Sequence, residues 1–442
     1  MRTFGIYLCL GLLVVGCRTQ QLGQQAYPHL ASGLQPLEGA PIQAVVKQQP
    51  SGVVAVHWII RGGVASGRLQ PGAEALMLKA LFRCGAGRVA GPDFERQMAR
   101  LGMRVQTAAG PDYSVIRMQC PARQFAAAWD LMLEAMLFPD FEPNSYLKLR
   151  DEWAATVQQE QQAQHWQWQH AAFQRYWGPS HPYVATLPTG WYDSLAVLPL
   201  AAVQEAYKQL LRANRLRLLV VGPVDASWLA AQLQQQLSGL PEAELPRAPE
   251  AASPGEDQVW IAEAEKTTRC LIGAMLPAPL PGTREWPAML LATHALGQAL
   301  QADQCQQRFL SCEAFAHCLP HGLVYVGVES EHAYASTQAF VQLLNLYRSQ
   351  GFTEAELADA KAVYLGELFR ELEGNAATAE WLAAALARGH LASQASLPDQ
   401  IAALQLEEVN RVFQKYARAL LWQYQGQMGQ VNERAFKLAR PK

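Results

Sequence analysis

Histidine and cysteine residues, the side chains that most often bind transition metals, cluster in two places in this sequence. Cys305, Cys312 and Cys318 lie close together beside His317. Their spacing matches no established zinc pattern. We therefore expect a disulfide or buried thiols in this region rather than a metal site.

The second cluster is a Trp-rich segment in which His165 and His170 flank Trp166 and Trp168. Histidines with this spacing do not share one face of a helix, as histidines one position closer together would. We expect the segment to serve as amphipathic packing or as a contact surface. Elsewhere the sequence has no Gly-x-Ser-x-Gly elbow, phosphate-binding loop or dinucleotide-binding fingerprint. The residues alone therefore predict no catalytic centre.

The N-terminal segment has the pattern of a secreted lipoprotein. Arg2 precedes an apolar run over residues 4–15, which is typical of a signal-peptide core. The run ends in Leu-Val-Val-Gly-Cys, which resembles a bacterial lipobox and makes Cys17 the predicted lipidation site; the alternative is an ordinary cleaved signal with a chance cysteine. No acidic residue directly follows Cys17, which by resemblance to lipoprotein sorting rules favours the outer membrane. We predict an envelope protein, lipid-anchored at the outer membrane and facing the periplasm.

The rest of the chain is long enough for two domains. Of the 442 residues in the whole sequence only 17% are charged, and the net charge of −2 argues against a nucleic-acid partner. We expect the signal peptide at 1–17, a polar tether at 18–40, a first domain at 41–240 and a second at 258–442. The intervening segment 241–257 is rich in Pro, Glu, Ala and Ser, so it is the predicted linker.

The two halves show the same order of elements. In the first half, a strand-like run at 52–60 is followed by a helical pattern at 72–82. In the second half, the strand pattern at 270–276 is followed by a helix pattern at 286–300. Strands and helices mix without a strict βαβ alternation, so we predict an α+β fold of two homologous domains. Each domain would be a mostly antiparallel sheet with helices packed on it.

Several segments, in order across both halves, resemble the landmarks of one peptidase family. They are His-Trp-Ile-Ile-Arg-Gly-Gly at 57–63, the helical segment 72–82, Leu101-Gly102, His-Pro-Tyr at 181–183, Tyr207 followed by 214–222, and the segment 351–361. The chain is similar on this basis to the insulinase / mitochondrial-processing-peptidase family, which comprises pitrilysin-type inverted zincins. The resemblance implies that the two α+β domains form one metallopeptidase half-shell.

The resemblance also shows what catalytic chemistry is missing. Active members carry His-x-x-Glu-His on a helix, two zinc ligands on one face with a general base between them. Alignment on the family places Ala75 and Lys79 at the histidine positions and Leu78 at the general-base position. A protonated lysine has no lone pair to give a metal, so we predict that zinc and other cofactors are absent. Glu152 or Glu160 could occupy the region of the third ligand.

In two-subunit relatives, the partner of the zinc-bearing subunit supplies an Arg and a Tyr that help to hold substrate. The resemblance places Arg308 in the Arg region and His317 at the Tyr position. A histidine can still donate a hydrogen bond to a peptide carbonyl. The alternative is a surface arginine and a structural histidine.

Three hypotheses of function follow. The first is a non-catalytic subunit that pairs with a zinc-bearing homologous peptidase and contributes to peptide binding. The second is a stand-alone envelope lipoprotein that binds peptides or acts as a scaffold. The third is an active zinc metalloendopeptidase, which the residues at the three degenerate positions argue against.

Overall fold

The computed structural model describes residues 30–64, 69–87, 89–244, 256–264, 267–303, 312–431 and 433–437. The predicted signal peptide, Cys17, Arg308 and most of the predicted linker lie outside these residues. Within the described ranges, no helix combines the length and apolar character needed to cross a membrane.

A mixed sheet with helices on it forms the first half. Its strands are β1 (Leu34–Pro36), β2 (Gln43–Gln48), β3 (Val53–Arg61), β4 (Arg104–Ala108), β5 (Tyr113–Pro121) and β6 (Leu216–Gly222). Its helices are α1 (Ala73–Arg83), α2 (Gly91–Arg100), α3 (Phe125–Leu137), α4 (Pro143–Gln162), α5 (Gln164–Trp177), α6 (Pro182–Ala185), α7 (Tyr192–Ala196), α8 (Leu200–Leu210) and α9 (Ala226–Leu237). The described strands lie in the order β1-β2-β6-β3-β5-β4, and all neighbours are antiparallel except β2 and β6.

The second half repeats this plan. Its strands are β7 (Gln258–Glu263), β8 (Cys270–Pro277), β9 (Cys312–Leu319), β10 (Leu323–Ser330) and β11 (Leu421–Gly426). Its helices are α10 (Trp286–Leu300), α11 (Ala333–Gln350), α12 (Glu354–Glu371), α13 (Asn375–Arg388), α14 (Leu391–Ala395), α15 (Leu397–Ala403), α16 (Leu406–Tyr416) and α17 (Glu433–Lys437). The strand order β7-β11-β8-β10-β9, with β7 and β11 parallel, matches β2-β6-β3-β5-β4 strand for strand. The predicted α+β fold with mostly antiparallel sheets is confirmed.

The local sequence explains the central strands. β3 is almost entirely apolar and is buried from Val54 to Ile60, because helices cover both of its faces. A continuous run of apolar residues is what a strand buried on two sides requires. Its inner face stacks Trp58 on Trp129 of α3 with ring centroids 5.6 Å apart. α12 begins at a capping box, as Thr353 accepts from the N–H of Glu356 and the glutamate carboxylate accepts from the N–H of Thr353.

Each half also supplies a covering helix to the other half. α13, from the second half, lays Leu382 and Leu386 on the outer face of the first sheet, against Val45, Ala55 and Ile59. Conversely, α5 and α6 of the first half cover one face of the second sheet. The residues in that contact are Ala172, Trp177, Val184, Met275, Leu323, Tyr325 and Leu421. The two sheets are therefore buried by reciprocal exchange of helices.

A carboxylate joins the halves where their hairpins meet. Asp112, in the bend between β4 and β5, accepts from the Tyr183 hydroxyl at 2.8 Å. Its other oxygen lies 3.1 Å from His321 Nδ1, in the turn between β9 and β10, and 3.3 Å from Arg388 Nη2 at the end of α13. Burial alone would raise the pKa of Asp112, but the bonds from His321 and Tyr183 and the Arg388 charge hold it below its usual value.

Candidate functional site

The helix α1 carries Ala75, Leu78 and Lys79, the three positions that the resemblance aligns with the zinc motif. It begins at Gly72, whose φ of 85° suits glycine. A Cβ at this position would lie only 2.4 Å from Leu195, so the close packing of α7 also requires a residue without a side chain. Ala75 and Leu78 are buried, and neither offers an atom that could hold a metal or move a proton. Lys79, one turn after Ala75, is half-buried.

Lys79 faces a pocket of about 580 Å³ between α1, α4 and the strands β4 and β5. The lining combines apolar, aromatic and charged side chains. It consists of Lys79, Phe82, Arg83, Met98, Val105, Gln106, Thr107, Arg117, Leu149, Glu152, Trp153 and Thr156. The pocket is therefore predominantly basic, with aromatic side chains in its wall.

The Lys79 ammonium lies over the Trp153 ring, 3.8 Å from its centroid. This is a cation–π contact, in which the negative face of the ring attracts the charge. Burial, and then the nearby charge of Arg83, lowers the pKa of Lys79. Trp153 is held in place by a hydrogen bond from its Nε1 to the Thr189 carbonyl at 3.2 Å. The lysine therefore packs on an indole ring whose orientation is set by a hydrogen bond.

Of the two carboxylates predicted for the third-ligand region, only Glu152 lines this pocket. It pairs with Arg83 Nη2 at 3.3 Å, while Arg83 Nε lies 2.7 Å from Glu95. Glu152 and Glu95 therefore share one arginine. Glu160 is exposed and lies farther along α4.

A different carboxylate on α1 is buried behind the pocket. Glu74 accepts a hydrogen bond from the Ser114 hydroxyl. Burial raises its pKa to about 7, although the Ser114 bond and the charge of Arg215 act in the opposite direction. Because Glu74 belongs to the core and does not line the pocket, it is no substitute for the missing general base.

The β4 strand supplies the open side of the pocket. It is the last described strand on its edge of the first sheet, and Val105, Gln106 and Thr107 all line the pocket. An edge strand presents backbone N–H and C=O groups that have no partner strand on one side. Arg117 on the neighbouring β5 lines the same pocket, and its Nη2 donates to Glu380 of α13 at 2.7 Å.

The structure separates the other predicted site residues from this pocket. His317 is exposed on β9, the last described strand of the second sheet, where its ring stacks on Phe315 at 5.7 Å. Arg308 lies outside the described residues. His165 pairs with Glu329 at 2.7 Å, whereas His170 stacks on Trp166 at 4.8 Å. Among the residues that the structure describes, no three His, Cys, Asp or Glu side chains converge as metal ligands would.

The cysteines of the described ranges are likewise not arranged as ligands. Cys312 is disulfide-bonded, while Cys318 on the same strand is free. Burial raises the pKa of the Cys318 thiol to about 12, and the free Cys84, Cys120 and Cys270 are buried. Thiols of this kind are inert structural groups. Cys305 lies outside the described residues.

Comparison with known proteins agrees with this picture. Residues 198–364 match the family model described as the peptidase M16 inactive domain. The crystal structure of a peptidase M16 inactive domain from Pseudomonas fluorescens aligns with a TM-score of 0.78 at 18% identity, covering 89% of this chain and 98% of that one. A protease from Helicobacter pylori aligns at 0.77 and 16% identity, with 89% and 99% covered. The sequence matches no curated protein.

A third structure, the periplasmic protease PqqL from Escherichia coli, aligns with a TM-score of 0.73 at 12% identity over 90% of this chain and 46% of PqqL. The fold, two α+β halves, is the one seen in these M16-like structures. The matched segment and the shared fold support the resemblance to the insulinase-type, or M16, peptidases. Because the matched model is that of the inactive domain, the comparison supports a non-catalytic M16-like protein.

Trp153 is the site residue that the sequence analysis missed. It lies on α4, 74 positions after Lys79 by their numbers, and nothing in the local pattern of α4 distinguishes it from a core residue. Its pairing with a lysine on α1 is a product of the tertiary fold. The adjacent Glu152, which the sequence did single out, was the only local signal that this part of α4 reaches the pocket.

Proposed function

We propose that this chain is the non-catalytic partner of a zinc-bearing homologous peptidase subunit, to which it contributes a binding surface for peptides. The observation that carries the proposal is the pocket of about 580 Å³ beside α1, which Lys79 lines. Ala75 and Leu78, the other two positions that the resemblance aligns with the zinc motif, are buried and do not line it. The pocket volume lies within the range of ligand-binding sites, although its chemistry is suited to holding a ligand and not to cutting one.

The edge of the first sheet gives a physical basis for peptide binding. An extended peptide can pair with the free edge of β4 through main-chain hydrogen bonds, which depend little on sequence. Alternate side chains of such a peptide point to the same side. Because Val105, Gln106 and Thr107 line the pocket, a side chain of the peptide paired with β4 would enter it.

The length comparisons support a partner. This chain aligns with 93% of its length to the first half of PqqL, at a TM-score of 0.70 and 15% identity, and covers 94% of that half. PqqL therefore joins in one chain a region like this one and a further region of comparable size. A separate homologous subunit would supply the equivalent of that second region.

The location is part of the proposal. The lipobox-like segment ending at Cys17 would anchor the chain in the bacterial envelope, with its domains in the periplasm. PqqL is described as a periplasmic protease, which agrees with such a compartment.

The test is isolation of the tagged full chain from its native envelope, with zinc measured in the purified chain and in whatever accompanies it. We expect a zinc-free chain together with a zinc-loaded homologue in a fixed ratio. Stoichiometric zinc in this chain alone would overturn the proposal and support a metallopeptidase. Isolation without a homologue, but with retained peptide binding, would support the stand-alone lipoprotein.

Peptide binding is measured separately by fluorescence anisotropy with unstructured labelled peptides. Trp153→Ala removes the indole ring from the pocket wall. Binding should weaken, because the peptide side chain loses the aromatic surface on which it would pack. The matched control is Phe138→Ala, since Phe138 is 66% exposed and does not line the pocket. Equal loss in both variants, with unfolding curves unchanged, would argue against the pocket as the binding site.

A further inference from the structure

Cationic side chains outnumber anionic ones among the residues that line the pocket. Among its lining residues, Lys79, Arg83 and Arg117 are cationic and Glu152 is anionic. The two arginines are each met by a carboxylate: Arg83 by Glu95 and Glu152, and Arg117 by Glu380 of α13.

Lys79 has no such partner. Within the described residues, no carboxylate oxygen lies within ion-pair distance of its ammonium, which contacts the face of Trp153 instead. A cation–π contact attracts the charge but does not neutralise it. A half-buried ammonium without a counter-charge produces a positive field inside the pocket, where screening by solvent is weaker than on an open surface.

We propose that this pocket selects an acidic side chain, glutamate or aspartate, in the bound peptide, and that its carboxylate pairs with the Lys79 ammonium. This inference rests on the proposed peptide-binding function and adds the class of peptide. The Trp153 ring gives the methylene groups of a glutamate an apolar surface, and the ammonium beside it supplies up to three hydrogen-bond donors.

The same arrangement disfavours the other side-chain classes. A lysine or arginine of the peptide would be repelled by the Lys79 ammonium, which has the Trp153 ring and no carboxylate as its neighbour. An apolar side chain would bury part of the ammonium without giving it a partner, which costs free energy. A glutamine offers a neutral acceptor, which forms a weaker hydrogen bond than a carboxylate does. The pocket therefore discriminates by charge as well as by size.

The test uses the full chain and three labelled decapeptides that differ only at the central residue, which is Glu, Gln or Lys. We expect the Glu peptide to bind about tenfold more tightly than the Gln peptide, since a hydrogen-bonded charge pair in a partly exposed site is worth about one factor of ten. The Lys peptide should bind most weakly. The preference should shrink as salt is raised.

Lys79→Met should remove the preference for the Glu peptide over the Gln peptide, and Lys79→Arg should keep part of it. Lys148→Met is the matched control, as Lys148 is an exposed lysine on α4 outside the pocket. Unfolding curves of each variant verify that it is folded.

Each outcome has a separate meaning. If the Glu and Gln peptides bind the unmodified chain equally, charge selection is wrong but peptide binding stands. If the preference survives Lys79→Met, the ammonium is not its source and the inference is overturned. If none of the three peptides binds, peptide binding by this chain fails together with its selectivity.

Discussion

The junction at Asp112 leads to a prediction about how the two halves are held. Asp112→Asn keeps the size of the side chain and an acceptor for Tyr183, but it removes the negative charge that faces His321 and Arg388. Hydrogen bonds to charged groups contribute about 1.5–3 kcal/mol, against about 0.5–1.5 kcal/mol for neutral ones. Weakening two such contacts would cost about 2–3 kcal/mol.

Partial exposure reduces this value somewhat. The side chains of Asp112 and Arg388 are each 20% exposed, so solvent screens a minor part of their attraction. We expect a loss of about 2 kcal/mol in the free energy of unfolding at pH 7. Tyr183→Phe, the matched control, removes one donor to the same carboxylate but leaves its charge facing His321 and Arg388, and it should cost about 1.5 kcal/mol.

The pH dependence makes the prediction specific. The pKa of Asp112 is lower in the folded chain than in the unfolded one, so its contribution is present above the unfolded pKa and is lost as pH falls through the folded pKa. Urea unfolding from pH 7 down to pH 3 should show the gap between Asp112→Asn and the parent chain closing below about pH 4. A gap that stays constant with pH, or a Tyr183→Phe cost as large as that of Asp112→Asn, would refute the reasoning.

Three other predictions concern stability, each measured by the free energy of unfolding in urea. Arg348→Met should cost about 3 kcal/mol, because Arg348 is 7% exposed and its loss leaves the Asp257 carboxylate, 13% exposed, without its counter-charge; a cost below 1 kcal/mol would contradict this. Thr353→Ala should cost about 1 kcal/mol by removing the cap of α12, and Thr353→Ser should restore most of it. Burial raises the pKa of Glu74 in the folded chain to about 7, so its contribution to the free energy of unfolding is present below about pH 4.5 and is lost as the pH rises to 7. Glu74→Gln should therefore reduce the fall in stability over this interval; an unchanged slope would exclude Glu74 as its source.

The elements that the sequence predicted best are those with strong local patterns. The helix pattern at 286–300 corresponds to α10 with both ends in place, and the apolar strand at 52–60 corresponds to β3 within one residue. The pattern of apolar residues along the sequence was sufficient to predict these two elements.

The strands that the sequence did not reveal depend on tertiary partners. β4 is a half-exposed edge strand with few apolar residues. β11 is fully buried although it contains Gln423 and Gln425, whose side-chain amides donate to the Tyr325 hydroxyl at 2.8 Å and to the Trp168 carbonyl at 2.9 Å. Glutamines appear polar in a sequence pattern, and only the folded chain supplies the partners that allow their burial.

The candidate site was predictable in part. Ala75, Leu78 and Lys79 were singled out because the resemblance aligns them with the zinc motif. Their residue types indicated only which chemistry these positions cannot perform. The other walls of the pocket could not be predicted from α1 alone, because Trp153 and the β4 edge come from distant segments of the sequence. A single helix fixes which side chains share a face, but the opposite wall of a pocket is a property of the whole fold.

The exchange of covering helices means that the chain is not two autonomous folding units in tandem. A first half separated from α13 would expose Val45, Ala55 and Ile59 to water, and a second half separated from α5 and α6 would expose Met275 and Tyr325. Contiguous apolar faces of this kind drive association. The arrangement is that of a domain-swapped dimer whose two copies have become one polypeptide. Cutting the backbone between the halves would therefore leave two fragments that complement each other, and neither fragment alone would remain soluble.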